Sequence, residues 1–121
     1  MSAQRLVDVS GLEAALQKFA AERGWDKFHS PKNLAMALTG EVGELVEVFQ
    51  WLTEDESRTV AQDSRTSQSV RDELADVLLY VVRLASVLQV DLNEAVITKL
   101  DVNVRKYPVG TEAPDEWGTR V

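Results

Sequence analysis

With 121 residues, 45% of them hydrophobic and 27% charged, the chain has the size and composition of one soluble globular domain, which excludes a disordered or fibrous protein. A formal net charge of -7 excludes the broad basic surface that general binding to nucleic acid or anionic lipid requires. Cysteine is absent, which excludes disulfides and thiolate metal sites.

The opening segment MSAQRLVDVS lacks the basic-then-apolar pattern of a signal peptide. Glu or Arg interrupts every apolar stretch before membrane-spanning length. The expectation is a cytoplasmic protein with neither a membrane nor a nucleic-acid partner.

Four helices are expected, from cap chemistry followed by apolar residues at three- and four-residue spacing. Ser10 with Glu13 offers a capping box for a first helix through about Ala21, its stripe formed by Leu12, Leu16 and Phe19, and Gly24 ends it. Ser30 and Pro31 read as N-cap and first helical position of a second helix running to about Leu52. The segment from Thr53 to Gln68 is polar and poorly periodic, as in a solvated, mobile connection. A third helix starts near Ser69, whose spacing to Asp72 allows another box, and extends through roughly Val87. Asp91 and Glu94 open a fourth, which ends before Pro108. The fold class is therefore all-α, with an all-helical domain over 1–109 and an irregular tail over 110–121 in which Trp117 alone suggests docking.

The third helix carries LADVLLYVVRLASVL, apolar nearly all the way round, so it must be buried on several sides. A domain of this size has little material to surround it. Helices of another subunit are expected to cover part of it, making the protein a homo-oligomer.

Glu41 and Glu44 lie three apart on the second helix within an otherwise apolar run, and Glu73 and Asp76 lie three apart on the third. Residues at that spacing share a helix face, so two acidic pairs on neighbouring helices can meet. Carboxylates about 4 Å apart repel by several kcal/mol per pair even at an effective dielectric near 20, so a cation belongs between them. Oxygen donors without cysteine suit Mg²⁺, with Mn²⁺ as the alternative, and Mg²⁺ keeps positions open for water and substrate phosphates. Glu47 continues the spacing as a base or supporting group. Gly40 and Gly43 beside these residues suggest a close approach of helices. A solvated acidic helix face is the bland alternative for either pair taken singly. Trp51 and Tyr80 follow Glu44 and Glu73 by seven residues, about 10 Å further along each helix on the same stripe, a nucleotide's reach. Antiparallel helices would send these aromatics to opposite ends of the acidic cluster, which partner chains could resolve.

The blocks HSPKNLAMALTGEVGELVEVFQW, RDELADVLLYVVRLA and DLNEAVITKLDVNVRKYPV resemble the MazG-like all-α pyrophosphohydrolases, nearest the dCTP pyrophosphatase branch, over roughly Leu12 to Val109. The resemblance implies that Glu41, Glu44, Glu73 and Asp76 are the catalytic, Mg²⁺-binding residues. The implied reaction is hydrolysis of a (deoxy)nucleoside triphosphate, dCTP or a related dNTP, to the monophosphate and pyrophosphate. It further implies base stacking by Trp25 and Trp51, His29 near the base, Tyr80 by the sugar, and phosphate or base contacts from Lys99, Asn103 and Lys106. It also implies a dimer or tetramer with sites completed across subunits.

Taken alone, Trp25 and Trp51 are equally well explained as core mass, His29 as a local cap, and the cations before Pro108, Arg105 among them, as partners of a helix C-terminus. Two other readings stay open. One is the same fold acting on dUTP or on NTPs broadly. The other is a non-catalytic helical interaction module with no metal dependence. A di-iron bundle is disfavoured, because the single histidine precedes the second helix instead of sitting in a Glu-x-x-His motif.

Overall fold

Capping chemistry sets most of the helix boundaries in the computed structural model, which describes residues 4–112. The elements are α1 (Ser10–Glu22), α2 (Pro31–Phe49), α3 (Glu54–Ser57), α4 (Ser67–Leu88) and α5 (Leu92–Lys106), with a 3₁₀ turn at Asp26–Phe28 and no strand among the described residues. Ser30 caps α2 by accepting from the Asn33 N–H at 3.1 Å, with Pro31 at the first helical position. Asp91 caps α5 by accepting from the Glu94 N–H at 3.1 Å. Gly24, with φ +66, turns the chain after α1 in the left-handed region that glycine tolerates.

Several local expectations are not met, and α2 ends at Phe49 where about Leu52 was expected. Ser10 forms no box with Glu13, because the Asp8 carboxylate takes both its N–H and its hydroxyl, at 3.2 and 2.9 Å. The connection from Thr53 to Gln68 is folded where a solvated loop was expected. Thr53 and Glu56 close a reciprocal capping box around α3, and the Thr66 hydroxyl donates to the Val60 carbonyl at 2.7 Å. These bonds hold Val60 in the core, and α4 begins two residues before Ser69. Asp72, expected to box with Ser69, accepts from Gln68 at 2.8 Å. Among the described residues there are thus five helices where four were expected. The tail expected over 110–121, Trp117 included, lies outside the described residues beyond position 112.

The principal packing is α2 against α4, with α1 leaning on α4. The pair is antiparallel: Glu41 of α2 meets Glu73 and Asp76 of α4, while Trp51 and Leu52, just after α2, line a cavity with Thr66, just before α4. Leu34, Val82, Ala20 and Ala85 fill the core at one end, Val60 and Val70 at the other. Gly40 and Gly43 do not mediate close helix approach within the chain, since a Cβ at either would meet nothing within 4 Å. At the N-terminus, Asn93 of α5 accepts from the Leu6 and Val7 N–H groups at 2.8 and 3.0 Å and donates to the Gln4 carbonyl at 3.2 Å. One buried amide thus ties the leading segment to α5.

Apolar stripes at four-residue spacing stay open to solvent in the single chain: Val42 and Val46 on α2, Leu74 and Leu78 on α4, Leu100 and Val104 on α5. Only part of the apolar surface of α4 is thus covered within one chain. No described helix is long and apolar enough to cross a membrane.

Candidate active site

The antiparallel pairing of α2 with α4 brings the two acidic spacings together. One carboxylate oxygen from each of Glu41, Glu73 and Asp76 lies within 4.8 Å of the others. Glu41 Oε2 and Glu73 Oε2 are both shielded from solvent and accept no hydrogen bond. Such groups are costly to bury unpaired. Burial, then hydrogen bonding with and repulsion from Glu44, then the charges of Asp76 and Glu73, push the Glu41 carboxyl up to about 7. Burial and Glu44 also raise the Glu73 carboxyl. Glu44 itself is exposed at the rim, close enough to act on both. Oxygen donors crowded in this way could hold a hard divalent cation, which would replace the repulsion with attraction and pair the two orphaned oxygens.

Glu41 and Asp76 also line a cavity of about 220 Å³ whose remaining wall is largely apolar and aromatic, formed by Trp25, Phe19, Leu16, Leu34, Leu79 and Tyr80. Trp25 is 45% exposed and meets Phe19 edge-on, ring centroids 5.5 Å apart. An apolar, aromatic-lined cavity thus opens directly beside the carboxylates. Its volume lies below the usual range for drug-sized ligands, roughly 300 to 1,000 Å³, so it would take one portion of a larger molecule.

His29 and Arg83 complete the wall. Arg83, a lone charge in the apolar run of α4, is 6% exposed and fully engaged. Its Nε–H donates to His29 Nδ1 at 3.0 Å, and its terminal nitrogens donate to Gln17 Oε1 at 2.7 Å and Asp26 Oδ1 at 2.9 Å. The sequence reading missed this residue. Its signal was a single arginine within LLYVVRLASVL, where an unpaired guanidinium could not be buried. Burial, then the neighbouring Arg83 charge, lower the His29 pKa below its ordinary value, with Asp26 opposing.

The structure thus groups Glu41, Glu44, Glu73 and Asp76 with Trp25, His29 and Tyr80. It does not bring the remaining candidates to this cavity within one chain. Trp51 is 86% exposed and lines a separate cavity of about 330 Å³ with Thr59, Asp63 and Arg65. Lys99 and Lys106 are exposed on α5 and Asn103 is half-buried there. Lys106 Nζ sits 5.3 Å from the Tyr107 ring centroid, and Arg105 pairs with Asp101 at 2.7 Å.

Residues 37–118 match the model of the MazG-like family, a span that holds all four acidic residues but begins after Trp25 and His29. The chain is 48% identical over 104 residues to dCTP pyrophosphatase 1 of Bos taurus, covering 86% of this chain and 60% of that protein. It is 48% identical over 103 residues to dCTP pyrophosphatase 1 of Homo sapiens, covering 85% and 59%. The chain thus spans about six tenths of the length of these curated relatives. Among solved structures, a pyrophosphatase from Archaeoglobus fulgidus superposes with a TM-score of 0.77 at 39% identity, covering 89% of this chain and 99% of that one.

Proposed function

The chain belongs to the MazG-like family, and from that premise we propose that it is a metal-dependent pyrophosphohydrolase cleaving (deoxy)nucleoside triphosphates, dCTP or a related dNTP, to the monophosphate and pyrophosphate. Relatives named as dCTP pyrophosphatases and a pyrophosphatase of the same fold support the reaction class. The observation that carries the reading is the pair of buried, unpartnered oxygens on Glu41 and Glu73, in an acidic cluster whose Glu41 and Asp76 also line an aromatic cavity. A cluster of oxygens suited to a cation stands beside an aromatic wall suited to a ring.

The donor set fits Mg²⁺, with Mn²⁺ as the alternative. All the crowded groups are hard carboxylate oxygens, cysteine is absent, and the single histidine is held by Arg83. Glu41, Glu73 and Asp76 would hold the ion, with Glu44 at the rim. When bound, Mg²⁺ would supply neutralisation of the triphosphate charge and a more acidic attacking water. The chain's own residues do the rest. Trp25 offers a stacking face to the base, worth roughly 1 to 3 kcal/mol by analogy with stacked bases in nucleic-acid complexes. Tyr80 flanks the space between the base and the carboxylates. Leu16, Leu34 and Leu79 exclude water from that cavity, which strengthens the polar contacts inside it.

Trp51, Lys99, Asn103 and Lys106 have no role in the cavity of their own chain. In this reading they serve the site of a neighbouring copy, in a homodimer or homotetramer assembled through the open apolar stripes of α2, α4 and α5. The test is pyrophosphate release from each canonical dNTP and NTP, with and without Mg²⁺, for wild type, Glu44→Ala and Trp51→Ala. The expected result is metal-dependent turnover led by dCTP, abolished in Glu44→Ala and weakened in Trp51→Ala. A folded wild type that turns over no nucleotide in the presence of metal overturns the proposal and leaves a helical interaction module.

A further inference from the structure

Arg83 is buried within the apolar run of α4, and a guanidinium there needs a reason. Three anchors from different parts of the fold meet it: Gln17 of α1, Asp26 of the 3₁₀ turn, and His29 just after that turn. Asp26 balances the charge as an ion pair at 2.9 Å. Neither anchor to Gln17 nor to Asp26 requires the third contact, which ends on an imidazole lining the cavity.

We propose that Arg83 is a positioning residue that holds His29 as its Nε2–H tautomer, giving the cavity a fixed hydrogen-bond donor. That donor selects a pyrimidine whose facing edge carries an acceptor, as cytosine N3 does, over one with an N–H there, as uracil N3 has. The inference rests on reading this cavity as the base site.

The chemistry of the two side chains gives the direction. Arginine carries five N–H donors and no acceptor, so the nitrogen that faces it must be unprotonated. Here that nitrogen is His29 Nδ1, 3.0 Å from Arg83 Nε. A neutral imidazole then holds its one proton on Nε2. Burial and the adjacent guanidinium both favour the neutral ring, against Asp26. Glu41, Asp76 and Tyr80 line the same cavity, and the carboxylates are the part given to the cation. Trp25 meets the His29 ring edge-on, centroids 6.4 Å apart and planes at 64°, which limits its rotation. Arg83 follows Asp76 by seven residues on α4, about 10 Å along the axis, so the residue that holds His29 stands two turns of helix from a carboxylate of the same cavity.

Because the chain contains a single histidine, a two-bond ¹⁵N–¹H spectrum of the 121-residue chain reads this tautomer without assignment. The expected spectrum at pH 7 shows the Nε2–H form alone. An Nδ1–H ring or an imidazolium there overturns the proposal. The second arm measures binding of dCMP and dUMP by calorimetry in the presence of Mg²⁺. Arg83→Met paired with Asp26→Asn removes the donor while keeping the charge balanced. The expected outcome is about tenfold weaker dCMP binding, with the preference over dUMP falling by a similar factor. In dCTP turnover KM should change more than kcat. Arg83→Lys, also a pure donor, should recover much of the preference. An unchanged dCMP-to-dUMP ratio in the folded double variant overturns the proposal. If that variant does not fold, loss of the preference in Arg83→Lys with the ring remaining Nε2–H does so instead. Failure of the activity reading looks different: a wild type with an Nε2–H ring and a dCMP preference that releases no pyrophosphate keeps this inference and removes that one.

Discussion

Replacing Glu41 with glutamine should stabilise the metal-free protein while abolishing its response to Mg²⁺. Glu41 and Asp76 place oxygens within 4.8 Å, which at an effective dielectric of 20 corresponds to roughly 3 kcal/mol of repulsion. Holding the Glu41 carboxyl up at about 7, against an ordinary value of 4.5, converts to a similar figure, roughly 3 kcal/mol. Glu41 is only half-buried, so solvent screening reduces the expected effect to about 1 kcal/mol. The sign follows from linkage. A native pKa raised above the unfolded one means that the folded state binds the proton more tightly. The contribution of Glu41 is therefore fully present below 4.5 and is lost as the pH rises through about 7. Melting with EDTA at pH 8 should place Glu41→Gln about 4 °C above wild type, for a domain of this size. The gap should shrink steadily down to pH 4.5. With Mg²⁺ added at pH 8 the order should reverse, because only the wild type gains from binding. A Glu41→Gln protein that melts at or below the wild-type temperature in EDTA at pH 8 would refute the argument that these carboxylates repel in the absence of a cation.

Three other outcomes follow from the packing. Trp25→Ala should raise KM for the preferred triphosphate by about 10- to 100-fold with a smaller change in kcat, from the lost stacking face; an unaltered KM in steady-state assays would mean the base binds elsewhere. Asn93→Ala removes the acceptor of two backbone N–H groups and should cost about 2 kcal/mol. Hydrogen exchange should show faster amides at Leu6 and Val7, and unchanged protection there would contradict the latch. Leu34→Ala, at a position 2% exposed, should cost about 3 kcal/mol in urea unfolding through the cavity it leaves. A cost under about 1 kcal/mol would mean that α1, α2 and α4 repack around the gap.

Sequence reasoning succeeded where the cause was local. Ser30 with Pro31, Asp91 with Glu94, and Gly24 each act within one turn of chain, so their residue types suffice to mark a helix end. The pairs Glu41 with Glu44 and Glu73 with Asp76 were legible for the same reason, since three-residue spacing puts both members on one helix face. The capping box of Thr53 and Glu56 was equally local, yet a polar, aperiodic segment masked it. Elsewhere the local pattern was present and lost to a competitor, as when Asp8 captured Ser10.

Other features were decided only by tertiary structure. Which two carboxylate oxygens end up dry and unpartnered depends on the register of α2 against α4, set by packing around Leu34 and Val82 and not by any short spacing. The antiparallel direction of that pair sends Tyr80 toward Trp25 and His29 and Trp51 to the opposite end, although both aromatics stand seven residues after an acid. The role of Arg83 was least legible, because its partners at positions 17, 26 and 29 are more than fifty residues away in the chain. By itself the sequence determined the helices and the acidic chemistry they carry, because both arise from residues within a turn of one another. The tertiary structure decided which of those groups meet beside one aromatic cavity, because burial and charge pairing are properties of the space between helices.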